Sequence, residues 1–153
     1  MTNTITLPVR FRLADDWRPV DPGRAGAAEA ALVAIGPSTS DGFAASIILT
    51  ELADPGAGSL SDIADRALGS LVRVSRTVSL LRRSTPEAAI TQLVRLTVPI
   101  GGADREVLQC HAFVPVSEGL AMQAVLTTTP EQFDHVIGEF GEFVGSIEAD
   151  TGA

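Results

Sequence analysis

One cysteine and two histidines are the first residues to consider for catalysis, because thiol and imidazole groups react or titrate near neutral pH. Cys110 and His111 are adjacent in a segment that alternates like a strand. Neighbouring side chains of a strand point to opposite faces. The two groups therefore cannot form a nucleophile and base within hydrogen-bond reach of each other. We predict that Cys110 faces the core and that the chain has no catalytic residue.

A second group of potential ligands lies on one face of a predicted helix: Glu131, His135, Glu139 and Glu142. Carboxylate and imidazole groups bind divalent cations. No second cluster in the sequence completes such a site, and the same spacing is typical of the solvent-facing side of an amphipathic helix. We predict no metal site.

Phosphate-binding and hydrolase motifs are also absent from the sequence. The Gly-rich turns at 36–38 and 101–102 lack the spacing of a phosphate loop, and the chain contains no lysine. There is no Gly-x-Ser-x-Gly elbow and no His-Glu-x-x-His pair. We therefore expect a protein that is not an enzyme and that holds no cofactor.

The charge is unevenly distributed along an acidic chain of net charge −8. Residues 66–105 contain seven arginines and two acids, whereas residues 106–153 contain eight acids and no arginine. Net acidity argues against nucleic acid as a partner. The basic segment suggests an anionic protein partner or a second copy of the chain. Its candidate partner-binding residues are Arg73, Arg76, Arg82 and Arg83; favourable contact with a helix C-terminus is the alternative explanation for the first two.

Two aromatic residues are further candidates for partner binding. Trp17 follows the first predicted strand, and Phe43 lies in a predicted loop. Tryptophan is enriched in binding hot spots. The alternative for Trp17 is a core residue that closes one end of the sheet.

A different hypothesis makes the chain a small-molecule binder or an unusual enzyme, with a pocket between the sheet and the helices. Its polar lining would come from four residues on the predicted strands: Gln92, Gln109, His111 and Gln123. A third hypothesis is a structural subunit of a larger assembly.

Hydrophobic periodicity predicts the elements that must position these residues. Alternating apolar residues indicate strands at 5–13, 30–35, 44–52, 77–83, 89–100, 105–116 and 119–128. Period-3.6 stripes indicate helices over 60–74 and 130–147, the second with Thr129 as its N-cap. The turn at 101–104 predicts a hairpin. Pro8 suggests that the first strand lies at a sheet edge.

This order predicts an α+β fold: a mostly antiparallel sheet of about six to seven strands, covered by two main helices. The length of 153 residues fits one domain spanning 1–153, with residues 145–153 as a frayed tail. No apolar run reaches the length of a membrane span, so no membrane insertion is expected. The N-terminal residues do not resemble a signal peptide, which favours a cytoplasmic location.

The two ends of the chain carry a family resemblance. The opening PVRFRLADDWRPV and the closing TTTPEQFDHVIGEFGEFVGSI resemble the first strand and the last helix of PsbP-like domains. Within that superfamily the chain is most similar to actinobacterial LpqN-type domains, and more distantly to Eag-type chaperones of type VI secretion.

The resemblance implies an α/β/α sandwich and a non-enzymatic accessory role, such as an adaptor or chaperone. Members of the superfamily include photosystem assembly factors, a Ran-binding import factor and secretion chaperones. The resemblance supplies no catalytic residues. We therefore expect a cytoplasmic domain that binds a protein partner, with a homodimer as one form of that binding.

Overall fold

The predicted strands and helices follow one another in the predicted order, and two short strands at 18–20 and 148–149 that the periodicity does not predict are added to them. The structure is a computed structural model that describes residues 9–24, 30–38, 43–52, 60–84, 90–100, 102–117 and 120–149. Its elements are β1 (Val9–Arg10), β2 (Arg18–Val20), β3 (Leu32–Ser38), β4 (Ala44–Leu52), α1 (Leu60–Val74), β5 (Thr77–Ser84), β6 (Ile90–Ile100), β7 (Ala103–Ser117), β8 (Leu120–Thr128), α2 (Pro130–Ser146) and β9 (Glu148–Ala149).

Among the described residues, seven strands form one antiparallel sheet in the order β2-β3-β4-β8-β7-β6-β5. Three consecutive hairpins build the half from β5 to β8, and β8 then pairs with β4. β1 and β9 form a separate two-stranded ribbon. The predicted fold class is confirmed: an α+β sandwich with a mostly antiparallel sheet and two helices.

Helix α2 covers one face of the sheet. Its first turn is closed by a capping box between Thr129 and Gln132, with Pro130 as the first helical residue. Its apolar stripe, which includes Phe140 and Phe143, packs against the buried side chains of β3, β4, β7 and β8. The cap predicted at Thr129 is confirmed.

Helix α1 covers the opposite face over β5, β6 and β7. Near its N-terminus, Ile63 and Ala64 pack against Phe113 of β7. Further along, Leu68 and Leu71 pack against the buried side chains of β6 and β7. The sheet is therefore sandwiched between the two helices, with β7 between them.

The N-terminal segment differs from the prediction. The alternation over 5–13 indicated one long edge strand, but the regular strand within the described residues is Val9–Arg10. Phe11 lies edge-on to Phe143, with ring centroids 5.4 Å apart. The backbone N–H of Arg12 donates to Ser146 Oγ at 2.8 Å. The segment after Arg10 thus packs against α2, and residues 5–8 of the predicted strand lie outside the described part of the chain.

The C-terminal segment also differs from the predicted frayed tail. Helix α2 continues to Ser146, and Glu148–Ala149 pair with β1. Residues 150–153 lie outside the described part of the chain.

Trp17 is a core residue and is only 4% exposed. Its indole N–H donates to Glu139 Oε1 of α2 at 3.0 Å. Its ring lies against Gly36 of β3, where an added Cβ would come within 2.7 Å of a ring carbon. Of the two interpretations of Trp17, the structure supports the core residue over the exposed anchor, because β3 and α2 together enclose the ring.

Replacement of Gly36 by alanine should test this packing. The new methyl group must displace a large ring held on its other side by α2, so we expect a loss of about 1–3 kcal/mol in the free energy of unfolding. Gly138→Ala is the matched control, since no atom lies within 4 Å of its added Cβ and alanine favours a helix. Urea denaturation of both variants measures the difference; equal stability of both would contradict the described position of Trp17.

Candidate functional site

A row of side chains crosses the sheet on the face that carries α1. Strand register aligns Arg83 of β5 with Gln92 of β6, and Gln92 with His111 of β7. The row continues through Val125 of β8 to Ile48 of β4. Its polar half lies beneath α1, where Gln92 and His111 are 1% and 2% exposed.

Hydrogen bonds join this polar half into a chain. Arg83 donates from Nε and Nη2 to Gln92 Oε1 at 3.0 and 2.7 Å. Gln92 Nε2 lies 3.2 Å from the carbonyl oxygen of Ala64 and 3.1 Å from His111 Nδ1. His111 Nε2 lies 2.9 Å from Gln109 Oε1. The same residues thus connect helix α1 to three strands.

The direction of every bond in the chain follows from Arg83, because a guanidinium group only donates. The Gln92 oxygen must therefore accept, and its amide nitrogen donates to His111 Nδ1. The proton of the neutral imidazole then lies on Nε2 and is donated to Gln109. Gln109 in turn donates to Thr127 Oγ1 at 3.1 Å.

Burial keeps the His111 ring neutral. It lowers the pKa of His111 from 6.5 to about 4, since the charged ring would be poorly solvated beneath α1. Both ring nitrogens are engaged in hydrogen bonds. His111 therefore serves as a neutral link between two amides.

The four residues predicted to line a pocket are only partly brought together. Gln92, Gln109 and His111 meet in the chain described above. Gln123 lies one row further along β8, between Phe113 and Thr50, and outside the chain. Three of the four residues thus lie close together, but they form hydrogen bonds with one another and, within the described part of the chain, do not line a pocket.

Two cavities formed by described residues lie away from these four. One, of about 460 Å³, is lined by Arg12, Leu13, Ala14, Glu139, Glu142 and Phe143. The other, of about 390 Å³, is lined by Asp104, Arg105, Glu106, Pro130 and Glu131. Neither brings the predicted pocket residues to a ligand.

Cys110 lies on the opposite face of β7 from His111 and packs against the core beneath α2. Burial raises the pKa of Cys110 from 9.0 to about 11, against a smaller opposite effect of the Arg82 guanidinium. The thiol is therefore protonated at neutral pH and is a weak nucleophile. Within the described ranges, no group of three or more His, Cys, Asp or Glu side chains is placed to hold a metal ion.

The four arginines predicted as one cluster are divided by the fold. Arg83 lies on the α1 face and also forms an ion pair with Asp65 at 2.8 Å. Arg82 precedes Arg83 in β5 and therefore lies on the opposite face of the sheet, the face of Cys110. Its side chain is exposed. Arg76 forms an ion pair with Asp104 at 2.6 Å. Arg73 is exposed in the last turn of α1.

Phe43 is half-buried and packs against the cluster beneath α1. The Arg105 guanidinium carbon lies 5.0 Å from its ring centroid, in a cation–π contact. The ring of Phe43 thus packs at the margin of the core and is not an isolated exposed side chain.

Exposed apolar side chains gather at one edge of the sheet. Among the described residues, the large hydrophobic side chains that are exposed are Val72 at 63%, Leu80 at 44% and Leu81 at 44%. β5 is the terminal strand of the sheet and contains both leucines. Val72 lies in the last turns of α1, which contacts β5. We call this surface, Val72 together with Thr77–Ser84, the β5 edge.

Neither the β5 edge nor the partners of the polar row in α1 and β8 are among the features predicted from the sequence. A signal for the edge was present: Leu80 and Leu81 are consecutive in a short strand, so both cannot face the same core. The structure resolves the conflict by a register shift between Leu80 and Arg82 that leaves Leu81 as the extra, bulged residue.

No protein-family model matches the chain, and no curated protein matches it.

Structural comparison finds several similar proteins. Mog1p, a Ran-binding protein of Saccharomyces cerevisiae, is 12% identical with a TM-score of 0.68 and covers 94% of this chain and 90% of its own. LpqN of Mycobacterium tuberculosis, involved in cell envelope biogenesis, is 16% identical with a TM-score of 0.57, covering 92% and 82%. The cyanobacterial PsbP of Synechocystis is 16% identical with a TM-score of 0.55, covering 93% and 86%. The chain therefore has the PsbP-like fold, as its two ends suggested, and at these identities the similarity is one of fold.

The neutrality of His111 predicts a dependence of stability on pH. Its pKa is lower in the folded protein, so the unfolded chain binds the proton more readily. The contribution of neutral His111 to the free energy of unfolding is complete above pH 6.5 and decreases as the pH falls. At about pH 4 the loss amounts to about 3 kcal/mol.

Urea denaturation between pH 7 and pH 4 measures this dependence. Relative to the unmodified chain, His111→Gln should flatten the slope in that range. Equal slopes in the two proteins would contradict a buried neutral His111.

A double-mutant cycle should test the link between the edge strand and the buried amide. Arg83→Met and Gln92→Met each break charge-assisted bonds, so their effects on stability should be coupled by about 1–2 kcal/mol. Arg82→Met with Gln92→Met is the control, and we expect additivity within about 0.5 kcal/mol because Arg82 lies on the other face. Additivity of both pairs would contradict the hydrogen-bond chain.

Proposed function

We propose that this chain is an accessory domain that binds a protein partner at the β5 edge and has no catalytic role. The observation that carries the proposal is the exposure of Leu80 and Leu81 on the terminal strand β5, together with that of Val72 on α1, the helix that contacts β5. Exposed apolar groups that cluster on an otherwise polar surface favour an interaction site.

The two ends of the described sheet support this choice of surface. β2, at one end, is three residues long, and such short strands offer little backbone for pairing. β5, at the other end, has eight residues and a neighbour on one side only. Half of its backbone N–H and C=O groups thus face away from β6 and can accept another strand.

The comparisons support the proposal at a coarse level. Mog1p is a Ran-binding protein, and its fold covers nearly all of this chain. A protein partner is therefore compatible with this fold. Which surface binds and which partner it takes are argued here from the β5 edge alone, because fold does not imply function.

The small-molecule hypothesis receives less support from the geometry. The polar atoms of Gln92 and His111 are engaged within the protein. A ligand would have to break those buried bonds before it could use them. No observation on the described residues favours this function over protein binding.

Site-specific photocrosslinking tests the proposed function. A benzophenone amino acid at Leu81 should give a discrete covalent adduct with a partner in a lysate of the source cells. The same group at Glu142, exposed on α2, is the matched control and should not give that adduct. Identical adducts from both positions, or none from Leu81 in a variant of unchanged thermal stability, would contradict binding at the β5 edge.

A further inference from the structure

The charge of the β5 edge differs from that of the whole protein. Residues 60–84, which form α1 and β5, contain five arginines and two aspartates, although the chain has a net charge of −8. A basic surface on an acidic protein attracts acidic partners and repels others like itself.

Some of these arginines are already neutralised by neighbours. Arg83 is held by Asp65 and Gln92, and Arg76 is held by Asp104. Arg73 and Arg82 are exposed and make no ion pair with another residue of the described ranges. Arg82 directly follows the two exposed leucines of β5, and Arg73 directly follows Val72 in α1. Exposed guanidinium groups therefore occur in the same two elements as the exposed apolar residues, with Arg82 on the face of β5 opposite to Arg83.

We propose that the occupant of the β5 edge is an extended segment of a partner protein that alternates apolar and acidic side chains and pairs with β5 as an additional strand. This inference rests on the proposed function. The backbone of β5 supplies the hydrogen bonds, Leu80 and Leu81 supply the apolar contacts, and Arg82 selects carboxylates. Because successive strand residues point to opposite faces, an alternating segment would place its acidic groups on one side and its apolar groups on the other.

A second copy of this chain is a poorer occupant. The middle of β5 lies between Leu80 and Leu81, so a two-fold pairing would align these leucines but would also bring Arg82 of both copies to one seam. Like charges brought together in this way oppose association. The bulge at Leu81 also makes two rigid edges pair poorly, whereas a flexible segment can follow it.

The buried hydrogen-bond chain makes β5 a prepared edge. Arg83 joins the C-terminal end of this strand to Gln92 and to Asp65 of α1. A strand that is already held in place loses less conformational entropy when a segment binds to it. The buried hydrogen-bond chain and the exposed β5 edge thus both favour the binding of an additional strand.

Fluorescence anisotropy with short peptides tests the inference. The probes are a labelled heptapeptide that alternates glutamate and valine, the same peptide with lysine for glutamate, and the glutamate peptide with alternate amide nitrogens methylated. We expect the glutamate peptide to bind at least about tenfold more tightly than either control, and less tightly at high salt. Hydrogen exchange of β5 amides should slow in its presence.

Substitutions at the edge identify the groups responsible. Arg82→Gln and Leu81→Ser should each weaken binding of the glutamate peptide by about threefold or more, since each removes one proposed contact. Arg18→Gln is the matched control, because this exposed arginine lies on β2 at the other end of the sheet. Arg18→Gln should leave the affinity unchanged.

Three results would overturn the inference. In the first, the glutamate peptide fails to bind although the crosslink from Leu81 is formed. The proposed function would then stand with a different class of partner. In the second, a control peptide binds as tightly as the glutamate peptide. Tight binding of the lysine peptide would exclude charge selection, and tight binding of the methylated peptide would exclude strand pairing. In the third, light scattering shows a dimer that Leu81→Ser dissociates, and the peptide does not bind, so the occupant is a second copy. Loss of both the peptide binding and the crosslink would reject the proposed function itself.

Discussion

The structure depends on the burial of β7 on both of its faces. Four consecutive residues, His111–Val114, are buried, and their side chains alternate between α1 and α2. A strand in this position needs a helix on each side, because either face left open would expose its core residues. The two faces are not equivalent: Ala112 and Val114 meet an apolar core, whereas the row of His111 must be both buried and hydrogen-bonded.

That requirement explains the polar row beneath α1. A buried imidazole needs a partner for each ring nitrogen, and the amides of Gln92 and Gln109 provide them. Gln92 in turn needs an acceptor for its second N–H and a donor for its oxygen; Ala64 and Arg83 fill these roles. Each satisfied group leads to the next until the chain reaches the surface. The hydrogen bonds that begin at one buried histidine thereby connect α1 to β5, β6 and β7 and hold the edge strand β5 in position.

Local sequence features predicted most of the fold. Three features were indicated by local pattern alone: the cap at Thr129, the glycine turn before Ala103 and the apolar stripes of both helices. Each depends on residues only a few positions apart in the chain. The first strand ends at Arg10, earlier than predicted, because alternation shows only that Phe11 and Leu13 face the same side. It does not show whether a sheet or a helix lies there, and α2 does.

The candidate site shows the same division. The fold class, the positions of the helices, and the placing of Gln92, Gln109 and His111 on strands all follow from periodicity. The bonds among these three residues, the enclosure of Trp17 and the position of Leu80 and Leu81 at an edge are seen only in the folded chain. The physical reason is that periodicity assigns a residue to a face, whereas burial and hydrogen bonding depend on which distant element covers that face.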